Sequence, residues 1–424
     1  MSNPMRRPTA AHALVLEGFT SRLSFGLVTF ALPLYGRELG MSIAEVGLLA
    51  SFSVIVSLAL KPLAGVVADR IGLKRALLVA LGLRSLLCLG YLATSTPLQV
   101  FAVRGSHGVS DSLRDPSVHA LLAETAPPRK VAGTFAWYQT AKTSAGAIGK
   151  SLSGVLLVAA GGFTWTFVTA FALSLLPLVV VAALVPARRP TASPTPSGGS
   201  LRNGASDRPP APPSSSPRRQ PPGVAAFAVL GFLVSGTSAL LTTLFPVIAT
   251  EYAGLSPAQA GALYLLTPVL ALTGPLWGRL SDRVSRPLVL SFRSAANIGS
   301  AAIYLLWPNP AGLWTGKSLD DLGKAAFRPA WGSLMAEVAS RTPSRRARTM
   351  AYLTAGEDAG DIAAPLVAGL LWTGWGVPAL LITRMVAAVV SEGYALWLDH
   401  RSRAAAHDER TDRSPRSLVP PNRL

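Results

Sequence analysis

Ionisable side chains recur inside stretches of this sequence that are otherwise apolar, and their spacing is the first clue to its chemistry. Arg104, Gly108, Asp111 and Asp115 stand at i, i+4, i+7 and i+11, which on a helix is one face, with Arg114 adjoining. A second stretch carries Lys317, Asp320, Asp321, Lys324 and Arg328. Glu17 and Arg22 form an earlier pair, and Glu357 and Asp361 lie one turn apart with Asp358 beside them. A charge at bilayer depth costs about 2.5 to 3.5 kcal/mol on insertion scales, so each such group needs a partner and is a functional hypothesis by default. The chemistry on offer is ion pairing, exchange of partners with a charged solute, and carriage of a proton. A carboxylate with few cations near it in a low dielectric can take up a proton at physiological pH, which nominates Asp111, Glu357 and Asp361 for proton coupling. The plainer expectation for Glu357 and Asp361 is a bond to Lys142 and Lys150.

The elements that must position these groups follow from composition. The 424 residues are 50% hydrophobic and only 14% charged, against roughly a quarter charged in a soluble domain. Twelve apolar stretches are long enough to cross a hydrocarbon core, at residues 12–34, 43–65, 75–94, 98–124, 133–160, 164–185, 224–249, 257–279, 287–306, 310–337, 348–373 and 376–398. Threaded from a cytoplasmic N-terminus, they place 26 of the 39 Lys and Arg residues on the cytoplasmic side and only Arg37 in the opposite loops. That is the positive-inside asymmetry, and it predicts a multi-pass plasma membrane protein with both termini cytoplasmic. It also explains the charge of +18 without a nucleic-acid partner. The single cysteine, Cys88, makes no intrachain disulfide, and no Cys/His spacing suits a metal. The run AGLWTGKS lacks the glycine spacing of a phosphate-binding loop, so neither a cofactor nor an enzymatic centre is expected.

The chain also repeats. Gly65-x-x-x-Asp69-Arg70 returns as Gly278-x-x-x-Asp282-Arg283, and Pro116 and Glu124 return as Pro329 and Glu337, all displaced by 213; Tyr138 and Gly146 return as Tyr352 and Gly360 at 214. The reading is an all-α integral membrane protein of twelve helices in two pseudo-symmetric six-helix halves. The halves are residues 1–186 and 223–400, joined by a Pro/Ser/Arg-rich disordered linker, 187–222, and followed by a disordered basic tail, 401–424. Parallel halves with a site between them are a transporter architecture. Under the shift, Arg104, Asp111 and Asp115 correspond to Lys317, Lys324 and Arg328, so Asp111 is expected to face a cation across the halves.

The segment GVVADRIGLKR, with Gly65, Asp69, Arg70, Gly72 and Arg75, resembles the loop motif of the major facilitator superfamily, and GRLSDRVSR is a degenerate second copy. The resemblance covers residues 12 to 398. It implies a secondary transporter working by alternating access, a functional monomer, a gate built on Asp69 and its basic partners, and a central cavity lined by the first, fourth, seventh and tenth helices. Arg104-x-x-x-Gly108 resembles the arginine motif of proton-driven members. Gly146-x-x-Gly149-Lys150-x-x-Ser153-Gly154 resembles the antiporter motif of the fifth helix, with Lys150 in place of proline. The balance of intramembrane acids and bases favours a small polar or charged solute moved with protons. The alternatives are a proton-antiport exporter of drugs or other hydrophobic compounds and a transport-like receptor without flux.

Overall fold

The computed structural model describes residues 6–126, 131–186, 222–283, 286–341 and 346–413. Every regular element in them is helical. The first six spans are Arg6–Glu38, Ile43–Ile71, Leu73–Gly90, Pro97–Thr125, Val131–Ala159 and Phe163–Leu184. The seventh is Val224–Thr242, continued past a turn by Phe245–Val247 and the π-helical Ile248–Tyr252. The eighth is broken into Pro257–Ala262, Leu266–Ala271 and Gly274–Arg283. Each of its breaks falls just ahead of Pro268 or Pro275, which lack the amide that would bond one turn back. The ninth and tenth are Arg286–Leu306 and Pro310–Ser340. The eleventh and twelfth share the helical stretch Arg346–Arg413, folded back at Gly376, whose φ of 82° is left-handed. The helix runs past His400 to Arg413, which corrects the expectation of disorder from 401. An Ala-rich sequence and the Arg403–Asp399 ion pair at i,i+4 favour its continuation. Residues 187–221 and 414–424 lie outside the described residues.

By length and apolarity, six described stretches suffice to cross a membrane, the last of them, Thr349–Ala405, holding two spans. The fourth and tenth helices are 29 and 31 residues long, and it is their charged stripes that depart from a simple apolar span.

The sequence repeat is a structural one. The first span packs on the fifth and sixth, the second on the fourth, and the third on the fourth and sixth. In the other half the seventh packs on the eleventh and twelfth, the eighth on the tenth, and the ninth on the tenth and twelfth. The helix starts repeat as well. Ser42 with Glu45 forms a capping box on the second span, and Ser256 with Gln259 does so on the eighth. Thr96 caps the fourth span and Asn309 the tenth, each followed by proline at the first helical position.

The two halves do not meet evenly. At the end bearing the turns 39–42 and 253–256, one hydrophobic core joins both halves, from Leu27, Met41 and Val46 to Tyr264, Leu313 and Leu381. At the opposite end, which carries the linker, each half has its own core: Leu14, Leu77, Leu122 and Tyr138 in one, Phe227, Trp331, Leu353 and Leu398 in the other. Glycines permit the close approach at the joined end. A Cβ on Gly47 would lie 2.2 Å from the Pro365 carbonyl oxygen, and one on Gly154 would lie 2.3 Å from that of Pro257. Ser51 Oγ donates to the Ile362 carbonyl at 2.6 Å, and Arg37 pairs with Glu251 at 2.8 Å.

Gly154→Ala should therefore destabilise the protein by about 1 to 3 kcal/mol through overpacking. Gly65→Ala, where a Cβ would meet none of the described residues within 4 Å, should be neutral or slightly stabilising. Thermal unfolding of the two variants in the same detergent checks the contrast.

Candidate functional site

Two buried polar clusters flank the plane between the halves. In the first half, Glu17 on the first span accepts from Arg114 on the fourth at 3.1 Å (Nε) and 2.8 Å (Nη2), and both side chains are buried. Arg114 also donates to Asp115 at 3.0 Å and to the Tyr138 hydroxyl at 3.2 Å. Gly18 leaves the room Tyr138 needs, since a Cβ there would stand 2.4 Å from its ring. Asp111 accepts from Arg84 on the third span, whose other terminal nitrogen donates to Ser21 at 3.1 Å.

In the second half, Asp320 accepts from three cations on three helices. Arg384 of the twelfth span donates at 2.6 Å, Lys324 of its own helix at 2.7 Å and Arg293 of the ninth at 3.1 Å. Arg384 is wholly buried and also donates to Ser300 and Asn297 at 2.9 and 2.8 Å. Asp321 accepts from Lys317 one turn away and from Thr267 Oγ1 at 2.5 Å.

These pairings correct two expectations. Asp111 does not face Lys324: it is satisfied by Arg84 within its own half, and Lys324 by Asp320 within the other. Glu357 and Asp361 do not bond to Lys142 and Lys150. Glu357 accepts from Trp331 Nε1 at 2.8 Å and Asp361 from Ser235 Oγ at 2.6 Å, both neutral donors. Nor does the stripe of the fourth span point one way. Gly108 packs on the Ser53 carbonyl of the second span, Asp111 turns to the third, and Arg104 lies over Phe25 of the first.

Arg84, Arg293 and Arg384 were not assigned from the sequence. The available signal was their type: an arginine in an apolar span requires a buried acceptor, whichever helix carries it.

Among the described residues, several cations have no carboxylate partner, and others reach across the halves. Arg22 and Arg104 share the Phe25 ring with Arg84, at 5.1, 5.6 and 4.7 Å from its centroid. Arg104 Nε and Nη1 are buried without a hydrogen-bond partner. Lys150 reaches across to the second half and lies 4.6 Å from the centre of Tyr264, whose ring Lys317 also approaches at 5.0 Å. Lys142 lies 5.2 Å from the Tyr138 ring centre. Arg328 donates to Thr143 across the halves at 3.0 Å, and Lys61 pairs with Asp358 at 3.2 Å.

Of the loop motif, Gly65, Asp69 and Arg70 end the second span, and Gly72, with φ 91°, turns the chain into the third. Asp69, Arg70 and Arg75 are exposed at the linker end. Gly278, Asp282 and Arg283 lie outside the residues whose side chains are described.

The sequence profile described as Major Facilitator Superfamily matches residues 14–319 and 271–423. The chain belongs to that superfamily. Curated relatives include multidrug resistance protein MdtG of Yersinia enterocolitica, 29% identical over 169 residues, 39% of this chain and 41% of that protein. MdtG of Salmonella arizonae is 28% identical over 167 residues, 38% of this chain and 41% of that protein. The chain thus spans about two fifths of the length of these relatives. Similar solved structures include a point mutant of the nucleoside transporter NupG, with a TM-score of 0.68 at 15% identity, covering 93% of this chain and 99% of that one. A bacterial homologue of the human lysosomal transporter Spinster, inward-facing and occupied, gives 0.68 at 14%, covering 98% and 100%. The human organic anion transporter MFSD10 gives 0.62 at 17%, covering 93% and 100%. At these identities the likeness establishes the fold.

Asp320→Asn should destabilise the protein by about 3 to 5 kcal/mol, because Arg293 and Arg384 would remain buried without their counter-charge. Folded yield and melting temperature in detergent measure this; a variant that melts like the parent contradicts the assigned network.

Proposed function

We propose that this protein is a secondary transporter that moves a small charged solute across a cytoplasmic membrane by rocking its two halves about a central site. The observation that carries the reading is the division of the core: one apolar core joins the halves at one end, and separate cores serve them at the other. Side chains packed in this way form bistable interfaces, so closing the linker end requires opening the joined end. With the termini and linker cytoplasmic, as the basic loops favour, this structure is the inward-facing state. The loop motif then acts as a gate, its Asp69 unlatched here and engaged when the linker end closes. The open space at Gly65 fits the same account, because a small residue there is required only in the closed arrangement.

Glu357 and Asp361 are the groups best placed for proton coupling. Among the described residues they accept from the neutral Trp331 and Ser235 alone, whereas Asp111 is neutralised by Arg84. The reading does not require a partner protein and takes the monomer as the working unit. A second reading, export of drug-like compounds, is favoured by the MdtG relatives, whose name describes multidrug resistance. The density of charge between the halves favours the polar or charged solute.

Two experiments test the proposal. In a Cys88→Ala background, Arg37→Cys with Glu251→Cys, joined by a short reducible thiol cross-linker, should abolish solute flux in proteoliposomes, and reduction should restore it. Undiminished flux in the cross-linked protein contradicts rocking. Separately, Asp361→Asn with Glu357→Gln should lose uptake driven by a pH gradient while keeping solute exchange at equal pH; gradient-driven uptake at the parental rate removes these carboxylates from the coupling.

A further inference from the structure

The charges between the halves do not balance once the pairs are drawn. Glu17, Asp111, Asp115, Asp320 and Asp321 are each bound to at least one cation within their own half. Asp320 and Asp321 together serve four, Arg293, Arg384, Lys317 and Lys324, leaving that cluster with an excess of positive charge. In the facing half, Arg22 and Lys150 have no hydrogen bond or ion pair among the described residues and rest only on the aromatic rings of Phe25 and Tyr264. Lys150 interacts electrostatically with Arg22, Lys317 and Lys324, and with Asp321, which is already occupied by Lys317 and Thr267. Arg22 is solvent-accessible midway along its span, lies against Gly146 of the fifth and interacts electrostatically with Lys150. Arg104, with two buried unpartnered nitrogens, stands behind it on the same Phe25 ring. Glu357 and Asp361, on the eleventh span, are each held by a neutral donor of their own half, and Asp358 is taken by Lys61.

Cations gathered in a low dielectric repel one another, and an anion among them relieves that repulsion. A guanidinium and an ammonium converging from two helices offer charge-assisted hydrogen bonds to a carboxylate or phosphate. The Tyr264 and Phe25 rings beside them add an apolar, aromatic wall. We propose that the central site binds a small organic anion, its acidic group held between Arg22 and Lys150 with Lys317 and Lys324 contributing from the other half. This deepens the transporter reading by naming the class of its solute, and it rests on that reading for the claim that the anion is carried.

Binding and flux are to be measured separately. The full chain, purified in detergent, is titrated at constant ionic strength with benzoate, glycerol 3-phosphate and inorganic phosphate. Benzamide and glycerol serve as neutral counterparts and tetraphenylphosphonium as a cation, and melting temperature is the readout. The expected result is a saturable rise with at least one anion and none with its neutral counterpart. In Lys150→Gln and Arg22→Gln the apparent Kd should weaken by about tenfold or more, the loss of one charge-assisted contact, and Lys150→Arg should restore binding. Size-exclusion profiles identify any variant that fails to fold, and Lys142→Gln, outside the proposed contact, serves as the charge-matched control. Stabilisation that persists in both glutamine variants, equal stabilisation by the neutral counterparts or the cation, or no response to any anion overturns the proposal. Anion binding without flux in liposomes sinks the transport reading and leaves the anion site standing. Flux of a neutral or cationic solute without anion binding does the reverse.

Discussion

A charge buried in a low-dielectric interior is tolerated only where an opposite charge or several hydrogen bonds meet it, and this requirement shapes the protein more than any other. It is met here half by half. Glu17 and Arg114 tie the first and fourth spans, Arg84 and Asp111 the third and fourth, and Asp320 gathers the ninth, tenth and twelfth. Because the strongest buried pairs are internal to a half, the halves can move against each other without exposing an unpaired charge inside either one. What crosses between them is weaker or more exposed: Lys61 with Asp358, Arg328 with Thr143, and Arg37 with Glu251 at the surface.

The apolar contacts follow the same division. Where the halves touch, glycines bring backbone against backbone, so a close-fitting surface adds dispersion to the Arg37–Glu251 pair and the Ser51 hydrogen bond. Such a surface either fits or separates, which suits a two-position device. Where the halves part, each has a core of its own and does not depend on the other for burial. Of the cations left over, Arg22, Arg104 and Lys150 lie on the first, fourth and fifth spans, and Lys150 reaches Tyr264 of the second half. Two separately cored halves, an apolar joint and unmatched charge beside it are what the proposed carriage of a charged solute needs.

The chain itself determined the architecture. Apolar length, the distribution of lysine and arginine, and the displacement of about 213 residues were sufficient for twelve helices in two equivalent halves, because lipid admits only helices and closed barrels and apolar stretches of about 20 residues fit the helix. The caps Ser42, Thr96, Ser256 and Asn309 were not assigned from the sequence, although a helix start needs a side-chain acceptor wherever it lies. The type of each intramembrane charge was plain, and so was the need for partners. The partners themselves were decided by the tertiary structure. Equivalence under the repeat suggested that Asp111 faces Lys324, yet the direction of a side chain depends on where the neighbouring helix stands, and Arg84 is nearer than anything in the other half. Glu357 and Asp361 found Trp331 and Ser235 rather than lysines for the same reason. Linear spacing places a charge on a face of its own helix; only helix packing says which neighbour that face meets, and therefore which charges are spent on the fold and which remain for a solute.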